Sequence, residues 1–216
     1  MIGIFGGTFN PIHHGHLRSA LEMVELLGLY KLHIVPCGIP PHRETPQVGA
    51  QQRLAMLQAA VAGEPVFVVD DREIKRGGPS YSLDTVKSVR EEYAANDPRQ
   101  AIVLIIGADA FRGFDTWHEW RSIMDYVHIV VMQRPDLANK SGAHLSPQLQ
   151  SFADERQVES VKPLWETSHG KLYFHTVTQL DISSSQIRER IAEGKSARYL
   201  MPDAVWRMIR ENQYYC

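Results

Sequence analysis

The chain has 216 residues, of which 44% are hydrophobic and 22% charged, and its formal net charge is −2. This length supports one α/β domain whose core is stable without disulfides or metals. The small negative charge gives no support to non-specific nucleic-acid binding, and no run approaches the ~20 apolar residues of a membrane span. Two cysteines, Cys37 and Cys216, form no disulfide framework, and the N-terminus lacks the features of a signal peptide. We therefore expect a cytoplasmic protein with neither nucleic acid nor a membrane as its partner.

Short apolar runs alternate with segments of helical spacing along the chain. The run at residues 101–106 is the most apolar and is therefore expected at the centre of a sheet. Residues 73–80 are predicted to form a charged loop, and residues 111–120 short helical turns. The predicted strands are residues 2–5, 31–35, 66–69, 101–106, 127–132 and 171–177, and the predicted helices are residues 16–27, 51–62, 147–157, 183–192 and 202–212, with another from residue 81 or 82.

This alternation predicts an α/β fold, a Rossmann-like, doubly wound parallel sheet flanked by helices, with a small helical part at the C-terminus. We expect a single domain over residues 1–216, in which the helical subregion begins near residue 183. Ligands of such sheets bind at the carboxyl ends of the strands. The segments that follow strands, beginning with residues 6–16 and ending with residues 181–188, are therefore the candidate binding segments.

The first of these segments combines a glycine turn with three histidines. Gly6 and Gly7 let a ligand approach the backbone closely, and the helix start that follows carries unpaired N–H groups. The segment matches neither the G-x-G-x-x-G pattern nor the P-loop. His13 and His16 are three residues apart, so they share a face of a helical turn, can donate hydrogen bonds to phosphate and, if protonated, add positive charge. Two alternatives stay open: a zinc site, which lacks a third and fourth ligand, or histidines that only cap the turn.

The last candidate segment is the serine-rich start of a C-terminal helix. Ser183 is a favourable N-cap, and Ile187 and Ile191 then face the core. The hydroxyls and free N–H groups of this helix start can bind phosphate, and Arg188 on the first turns can point the same way. The alternative is an ordinary helix cap with a solvated arginine.

Together the two segments resemble the signatures of a known superfamily. His13-x-Gly15-His16 and the later Ser183-Ser184-Ser185-x-Ile187-Arg188 resemble the HxGH and I-S-S-T-x-I-R-like signatures of the nucleotidyltransferases. The stretch G-G-T-F-N-P-I-H-H-G-H is similar to the G-G-T-F-D-P-x-H-x-G-H of bacterial nicotinate-nucleotide adenylyltransferases. Asn10, Ser185 and Arg43 depart from the family pattern but conserve hydrogen bonding or charge. Further matches are Pro40-Pro41-His42, Ser80-Tyr81-Ser82-x-Asp84-Thr85, Gly107-x-Asp109, Trp117 and Trp120.

The resemblance implies adenylyl transfer from ATP to nicotinate mononucleotide, which yields nicotinic acid adenine dinucleotide and pyrophosphate in NAD biosynthesis. The phosphate of the mononucleotide would attack the α-phosphorus of ATP directly, so neither a covalent intermediate nor a general base is implied. The protein would align the reactants and stabilise the developing charge. Mg²⁺ would accompany the triphosphate, and no metal site on the protein itself is implied.

The resemblance also implies roles for individual residues, of which His13, His16 and Arg188 would be catalytic. Trp117 would stack on the pyridine ring and Thr85 would contact its carboxylate. Simpler structural alternatives stay open, such as a helix cap, core packing, a salt bridge or a solvated loop, and Trp120 is expected in the core. The implied ATP-binding residues are Gly6, Gly7, Thr8, Phe9, His13, His16, Gly107, Asp109, Ile182, Ser183 and Arg188, and the implied mononucleotide-binding residues are Thr85, Trp117, His42, Arg43 and Arg134.

Several rival functions use the same scaffold. A sibling enzyme would adenylylate nicotinamide mononucleotide or phosphopantetheine, although phosphopantetheine enzymes are shorter and lack the features at residues 80–85 and Trp117. A nucleotide sensor would bind ATP without the transfer machinery, and the presence of both complete motifs argues against it. A homo-oligomer stays open.

Overall fold

The computed structural model of the chain describes residues 1–40, 46–133, 145–178 and 180–216. Within these residues six parallel strands form one sheet in the order β3-β2-β1-β4-β5-β6. The direction of winding therefore reverses between β1 and β4, and ligands of such sheets bind at this switch point. The predicted Rossmann-like parallel sheet is confirmed. The strands are β1 (Ile2–Gly7), β2 (Lys31–Pro36), β3 (Phe67–Val69), β4 (Ile102–Gly107), β5 (His128–Gln133) and β6 (Leu172–Thr176).

Helices cover both faces of the sheet. Alternate residues of a strand point to opposite faces, so Val103 and Ile105 of β4 pack on one side and Ile102 and Leu104 on the other. Among the described residues, the first side is covered by α1, α2, α7, α8 and α9, and the second by α4, α5 and α6. The helices are α1 (His14–Leu27), α2 (Ala50–Val61), α3 (Arg72–Arg76), α4 (Ser82–Ala94), α5 (Ala108–Arg112), α6 (Pro147–Arg156), α7 (Lys162–Glu166), α8 (Ser184–Ala192) and α9 (Asp203–Glu211).

Two short helices were not predicted from the sequence. The segment predicted as a charged loop at residues 73–80 begins with α3 instead, and α7 lies in the region that carried no motif. Each of these helices has five residues, which is too short for a repeating apolar pattern. Two 3₁₀ turns at Phe114–Thr116 and Trp120–Asp125 fit the helical turns predicted after β4.

The helix after β1 ends where its sequence predicts. Gly28 caps α1 in the left-handed conformation, with φ 60°, and its N–H group bonds the carbonyl of Val24. The helix begins at His14, two residues earlier than the apolar pattern alone indicates. His13 is therefore the N-cap residue, and Gly15 lies in the first turn.

The C-terminal helices pack back onto the start of the chain. Val205 and Ile209 of α9 are buried, and the Tyr215 hydroxyl donates a 2.7 Å hydrogen bond to the side-chain oxygen of Asn10. This contact places the last turn of the chain behind the segment that follows β1. Across the described ranges, no helix combines the length and apolar character of a membrane span.

Candidate active site

A cavity of about 870 Å³ opens at the carboxyl ends of β1 and β4, where the sheet topology predicts a ligand site. One wall is the segment after β1, a second is the start of α8, and a third is the turn after β4. All the predicted ATP-binding residues line it. They are Gly6, Gly7, Thr8, Phe9, His13, His16, Gly107, Asp109, Ile182, Ser183 and Arg188.

The loop after β1 leaves its backbone open to a ligand. A Cβ atom at Gly6 would meet no atom within 4 Å, so this face of the loop is bare. At Gly7 a Cβ would lie 2.8 Å from the ring of Phe9, so only glycine lets that ring fold over the loop. Phe9 has a positive φ of 46° and is buried between the rings of Phe5 and His16. Aromatic packing therefore supports the strained turn that shapes the cavity.

His13 and His16 stack on each other at the cavity wall. Their ring centroids are 3.7 Å apart, which confirms the prediction that the two side chains share a face. Burial lowers the pKa of His13 to about 2, with further contributions from His16 and His14, and burial lowers the pKa of His16 to about 4. Both rings are therefore neutral at pH 7 before any ligand binds.

Each of these rings also has unused hydrogen-bonding capacity. The buried Nδ1 atoms of His13 and His16 have no hydrogen-bond partner among the described residues. A buried polar atom without a partner costs free energy, so these two nitrogen atoms are unsatisfied in the ligand-free protein. In the described part of the chain no three His, Cys, Asp or Glu side chains are grouped as a metal ion would require.

The start of α8 is fastened to the segment after β1. Ser184 donates a 2.9 Å hydrogen bond to the carbonyl of Pro11, and Arg188 donates one of 2.8 Å to the carbonyl of Asn10. Gly15 permits this close approach, because a Cβ there would lie 3.3 Å from the Ile182 carbonyl. The two motifs are 167 residues apart when measured from His16 to Ser183 (183 − 16), yet they form adjoining walls of one cavity.

Helix α8 is capped as its sequence predicts. The Ser183 hydroxyl accepts a hydrogen bond from the Gln186 N–H, and the Gln186 side chain accepts one from the Ser183 N–H. Within the described residues, the N–H groups of Ser184, Ser185 and Gly15 have no hydrogen-bond partner, and all three residues line the cavity. Two helix N-termini thus present free donors and partial positive charge to the same space.

The turn after β4 forms the opposite wall. A Cβ at Gly107 would meet no atom within 4 Å, so the backbone is exposed to the cavity there. Asp109 lies in the first turn of α5 and forms an ion pair with Arg112. Gly107, and not Asp109, is the N-cap residue of this helix, so the carboxylate does not serve as the cap that was its structural alternative.

Thr85 and Trp117 lie outside the walls of this cavity. Thr85 is buried; its hydroxyl donates a 2.7 Å hydrogen bond to Glu73 and accepts one of 2.9 Å from Arg76. Trp117 is half-buried against the ring of Phe114, 5.3 Å away, so its indole keeps an accessible part. Direct contact of the Thr85 hydroxyl with a substrate would require this internal network to rearrange, whereas Trp117 can be reached as it stands.

Four other residues named from the sequence lie in the core or outside the described residues. Trp120 is 7% exposed and packs on Phe152, which confirms its expected place in the core. The predicted mononucleotide contacts His42, Arg43 and Arg134 lie outside the described residues.

The sequence did not single out Arg53, which proves to be the largest fully buried side chain among the described residues. It lies on α2 behind the loop after β1 and donates a hydrogen bond to the Thr8 carbonyl. Nor did it predict that the Asn10 side chain would be held by Tyr215 from the end of the chain. Both contacts are between segments distant in sequence, so no local pattern could have indicated them.

The cavity and its two helix N-termini are arranged as the phosphate-binding site of a nucleotidyltransferase would be, and the comparison with known families shows that class. A family model described as cytidylyltransferase-like matches residues 4–190, and the chain belongs to that family. Its more specific membership follows from individual relatives.

A protein of Pseudomonas syringae pv. tomato is 46% identical over 214 residues, which cover 99% of this chain and 93% of that protein. A protein of Methylococcus capsulatus is 45% identical over 216 residues, which cover 100% of this chain and 99% of that protein. Both carry the name "Probable nicotinate-nucleotide adenylyltransferase". The chain belongs to the nicotinate-nucleotide adenylyltransferases.

The fold has a counterpart among solved structures. The nicotinic acid mononucleotide adenylyltransferase of Plasmodium falciparum, complexed with NaAD, superposes with a TM-score of 0.72. The match covers 99% of this chain and 96% of that chain at 15% sequence identity. This likeness shows a shared fold.

Proposed function

We propose that the protein transfers the adenylyl group of ATP to nicotinate mononucleotide, giving nicotinic acid adenine dinucleotide and pyrophosphate for NAD biosynthesis in the cytoplasm. A phosphate oxygen of the mononucleotide forms a bond to the α-phosphorus of ATP. The bond from that phosphorus to the oxygen bridging to the β-phosphate breaks, and pyrophosphate leaves with the electron pair. The attacking oxygen is already ionised near neutral pH, so the protein needs to supply alignment and charge stabilisation only.

The observation that carries the proposal is the convergence of the starts of α1 and α8 on one cavity. The bonds from Ser184 to Pro11 and from Arg188 to Asn10 hold the two helix starts together. A triphosphate placed between them would meet free backbone donors, two helix dipoles and the Arg188 guanidinium. This donor set suits the charge that develops on the α-phosphate and on the departing pyrophosphate.

We assign the two histidines to the triphosphate. As neutral imidazoles each can donate one N–H hydrogen bond to a phosphate oxygen, and the bound anion would favour their protonation. His16 would act nearest the reacting centre, with His13 stacked against it. Thr8 and Phe9 would line the phosphate turn, and Ser183 would bind the outer phosphates from the start of α8.

The remaining contacts divide between the two substrates. Asp109 beside Gly107 would accept hydrogen bonds from the ribose hydroxyls of ATP. The exposed part of Trp117 would stack on the pyridine ring. Because the Thr85 hydroxyl is engaged by Glu73, we assign recognition of the nicotinate carboxylate mainly to the N–H groups at the start of α4, in whose first turns Thr85 lies.

Mg²⁺ would enter with the triphosphate. The described cavity walls are rich in N–H and hydroxyl groups and contain only the scattered carboxylates Asp109 and Asp181. Such walls fit a cation held mostly by phosphate oxygens and water, with at most these carboxylates near it. When bound, the ion neutralises charge on the triphosphate and on the leaving pyrophosphate.

Release of pyrophosphate in the presence of ATP, Mg²⁺ and one of two mononucleotides tests the proposal. We expect turnover with nicotinate mononucleotide and at least about tenfold lower kcat/KM with the amide, because helix N-terminal donors favour an anionic group. Reactions without a mononucleotide control for ATP hydrolysis. No turnover with either substrate would disprove the transfer, and faster turnover with the amide would disprove the assigned specificity.

A further inference from the structure

The guanidinium of Arg53 is buried behind the wall of the cavity. The side chain is 1% exposed and donates four hydrogen bonds, all to main-chain carbonyls. Its contacts connect three segments: the loop after β1 at Thr8, the loop after β2 at Cys37 and Gly38, and the segment before α2 at Val48. One side chain thus fixes the relative positions of the two loops that follow neighbouring strands.

This charge has no carboxylate partner among the described residues. Every ion pair in the described part of the chain involves other cations. Besides its four carbonyl partners, Arg53 interacts electrostatically with Cys37 and Tyr215, neither of which carries a carboxylate. Arginine keeps its proton even when buried, although burial lowers the pKa of Arg53. Carbonyl dipoles compensate a buried cation only partly, so it is normally paired with an anion.

The buried charge lies one residue away from the cavity. Arg53 Nη1 is 2.6 Å from the carbonyl oxygen of Thr8, and Thr8 lines the cavity together with its neighbours Gly7 and Phe9. Pro46, near the Val48 carbonyl that Arg53 also bonds, lines it too. No water layer separates the guanidinium from this loop, so its field reaches the cavity with little screening.

We propose that Arg53 is a positioning residue. The negative charge of the triphosphate, on the other side of the loop after β1, balances its buried positive charge. Its hydrogen bonds hold Thr8 and the loop after β2 in the geometry that receives the ligand, and its charge attracts the anion without touching it. The proposal rests on the proposed function in taking ATP as the anion that enters this cavity.

Arg90 provides a natural control on the other half of the sheet. Its guanidinium also donates only to main-chain carbonyls, those of Gln100, Tyr126 and Ser168, and has no carboxylate within ion-pair distance in the described ranges. These carbonyls precede β4, β5 and β6, whereas the cavity lies where strands end. Loss of this arginine therefore removes similar hydrogen bonds far from the cavity.

The test separates the effect of the Arg53 charge on nucleotide binding from the effect of its hydrogen bonds, and it uses the full chain. Both Arg53→Lys and Arg53→Gln have fewer N–H donors than arginine, and only Arg53→Lys keeps the charge. Arg90→Lys and Arg90→Gln are the matched controls. Dissociation constants of Mg²⁺ with a non-hydrolysable ATP analogue, and melting temperatures without ligand, are measured for all four. Binding is read without catalysis, so failure of the wild-type protein to transfer an adenylyl group would leave this test intact.

We expect Arg53→Gln to raise the dissociation constant of the nucleotide about tenfold, the effect of one buried charge near a polyanion. Arg53→Lys should stay within about threefold of the wild type, although its melting temperature falls. Both Arg90 variants should lower the melting temperature and leave the dissociation constant within about twofold. Unchanged nucleotide binding in Arg53→Gln would overturn the proposal, and so would equal weakening by Arg53→Lys and Arg53→Gln, because hydrogen bonding alone would then explain the effect.

Discussion

His13 and His16 are neutral side chains at the wall of a cavity that is also lined by two helix N-termini and Arg188. Burial keeps their pKa values far below the usual range, so the free protein does not hold two adjacent imidazolium ions. The positive potential comes from the helix N-termini and from Arg188 and Arg53. We therefore expect the histidines to bind the triphosphate by directed hydrogen bonds, to which protonation favoured by the bound anion would add positive charge.

The neighbouring histidines of the motif allow a matched test of that role. His16→Ala should lower kcat by roughly a hundredfold, because one donor to the transition state is lost. His14→Ala should change it by less than about threefold, since His14 does not line the cavity. Steady-state pyrophosphate release measures both variants. Equal losses in the two would show that the motif acts only through its fold.

At the scale of elements, the start of α8 is a capped helix terminus that we propose also binds phosphate. The capping box formed by Ser183 and Gln186 leaves the N–H groups of Ser184 and Ser185 without a partner among the described residues, and both residues line the cavity. A helix start that leaves some N–H groups for a ligand is stabilised when its cap satisfies the remaining N–H groups.

This double role predicts two separable effects of one substitution. Ser183→Ala should lower the free energy of unfolding by about 1 kcal/mol and also raise the KM for ATP. Ser146→Ala is the control, because Ser146 caps α6 through the Leu149 N–H but lies outside the cavity. It should reduce stability alone. Denaturant unfolding and steady-state kinetics measure the two effects, and an unchanged KM in Ser183→Ala would show that its hydroxyl only caps the helix.

Some helices and strands could be predicted from their own sequence and others could not. The buried strands were predictable because runs such as residues 101–106 are apolar on both faces, and α8 was predictable because Ser183 and Ile187 mark its start and its core face. The five-residue α3 was not, since a single turn has no period.

The site was predictable where it rests on local motifs and not where it rests on tertiary contacts. The cavity-lining residues of both motifs were named from sequence, although their roles in catalysis stay predictions. Arg53 on a predicted helix looks like any solvated arginine, because the carbonyls that bind it come from residues up to 45 positions away. Likewise, nothing in the sequence indicates that Glu73 and Arg76 engage the Thr85 hydroxyl. The single domain over residues 1–216 also stays a prediction.

At the scale of the whole molecule, buried neutral histidines make stability depend on pH. His128 in β5 is fully buried; its Nε2–H donates to the Thr167 carbonyl and its Nδ1 accepts from the Lys171 N–H. Burial lowers the pKa of His128 to about 4. An added proton would remove the acceptor that the Lys171 N–H uses, so the folded state disfavours protonation more than the unfolded state does.

The lowered pKa of His128 makes the folded protein less stable in acid. Between about pH 6.5 and 4 the unfolded chain binds more protons at His128 than the folded protein does. The contribution of neutral His128 to the free energy of unfolding is therefore fully present above about pH 6.5 and is lost as the pH falls toward 4. His128 alone accounts for up to roughly 3 kcal/mol over this range. His128→Gln, which can replace one hydrogen bond without titrating, should flatten the curve of unfolding free energy against pH. Parallel curves for variant and wild type would contradict this explanation.

The proposed direct transfer of the adenylyl group is tested most directly by following the α-phosphate of ATP. ATP labelled with ³²P in the α position is incubated with the protein, Mg²⁺ and nicotinate mononucleotide, and the products are separated. We expect the label in nicotinic acid adenine dinucleotide, an equal amount of unlabelled pyrophosphate, and no label on the protein. Label that stays in ATP, is released as AMP, or becomes attached to the protein would contradict direct adenylyl transfer in this cavity.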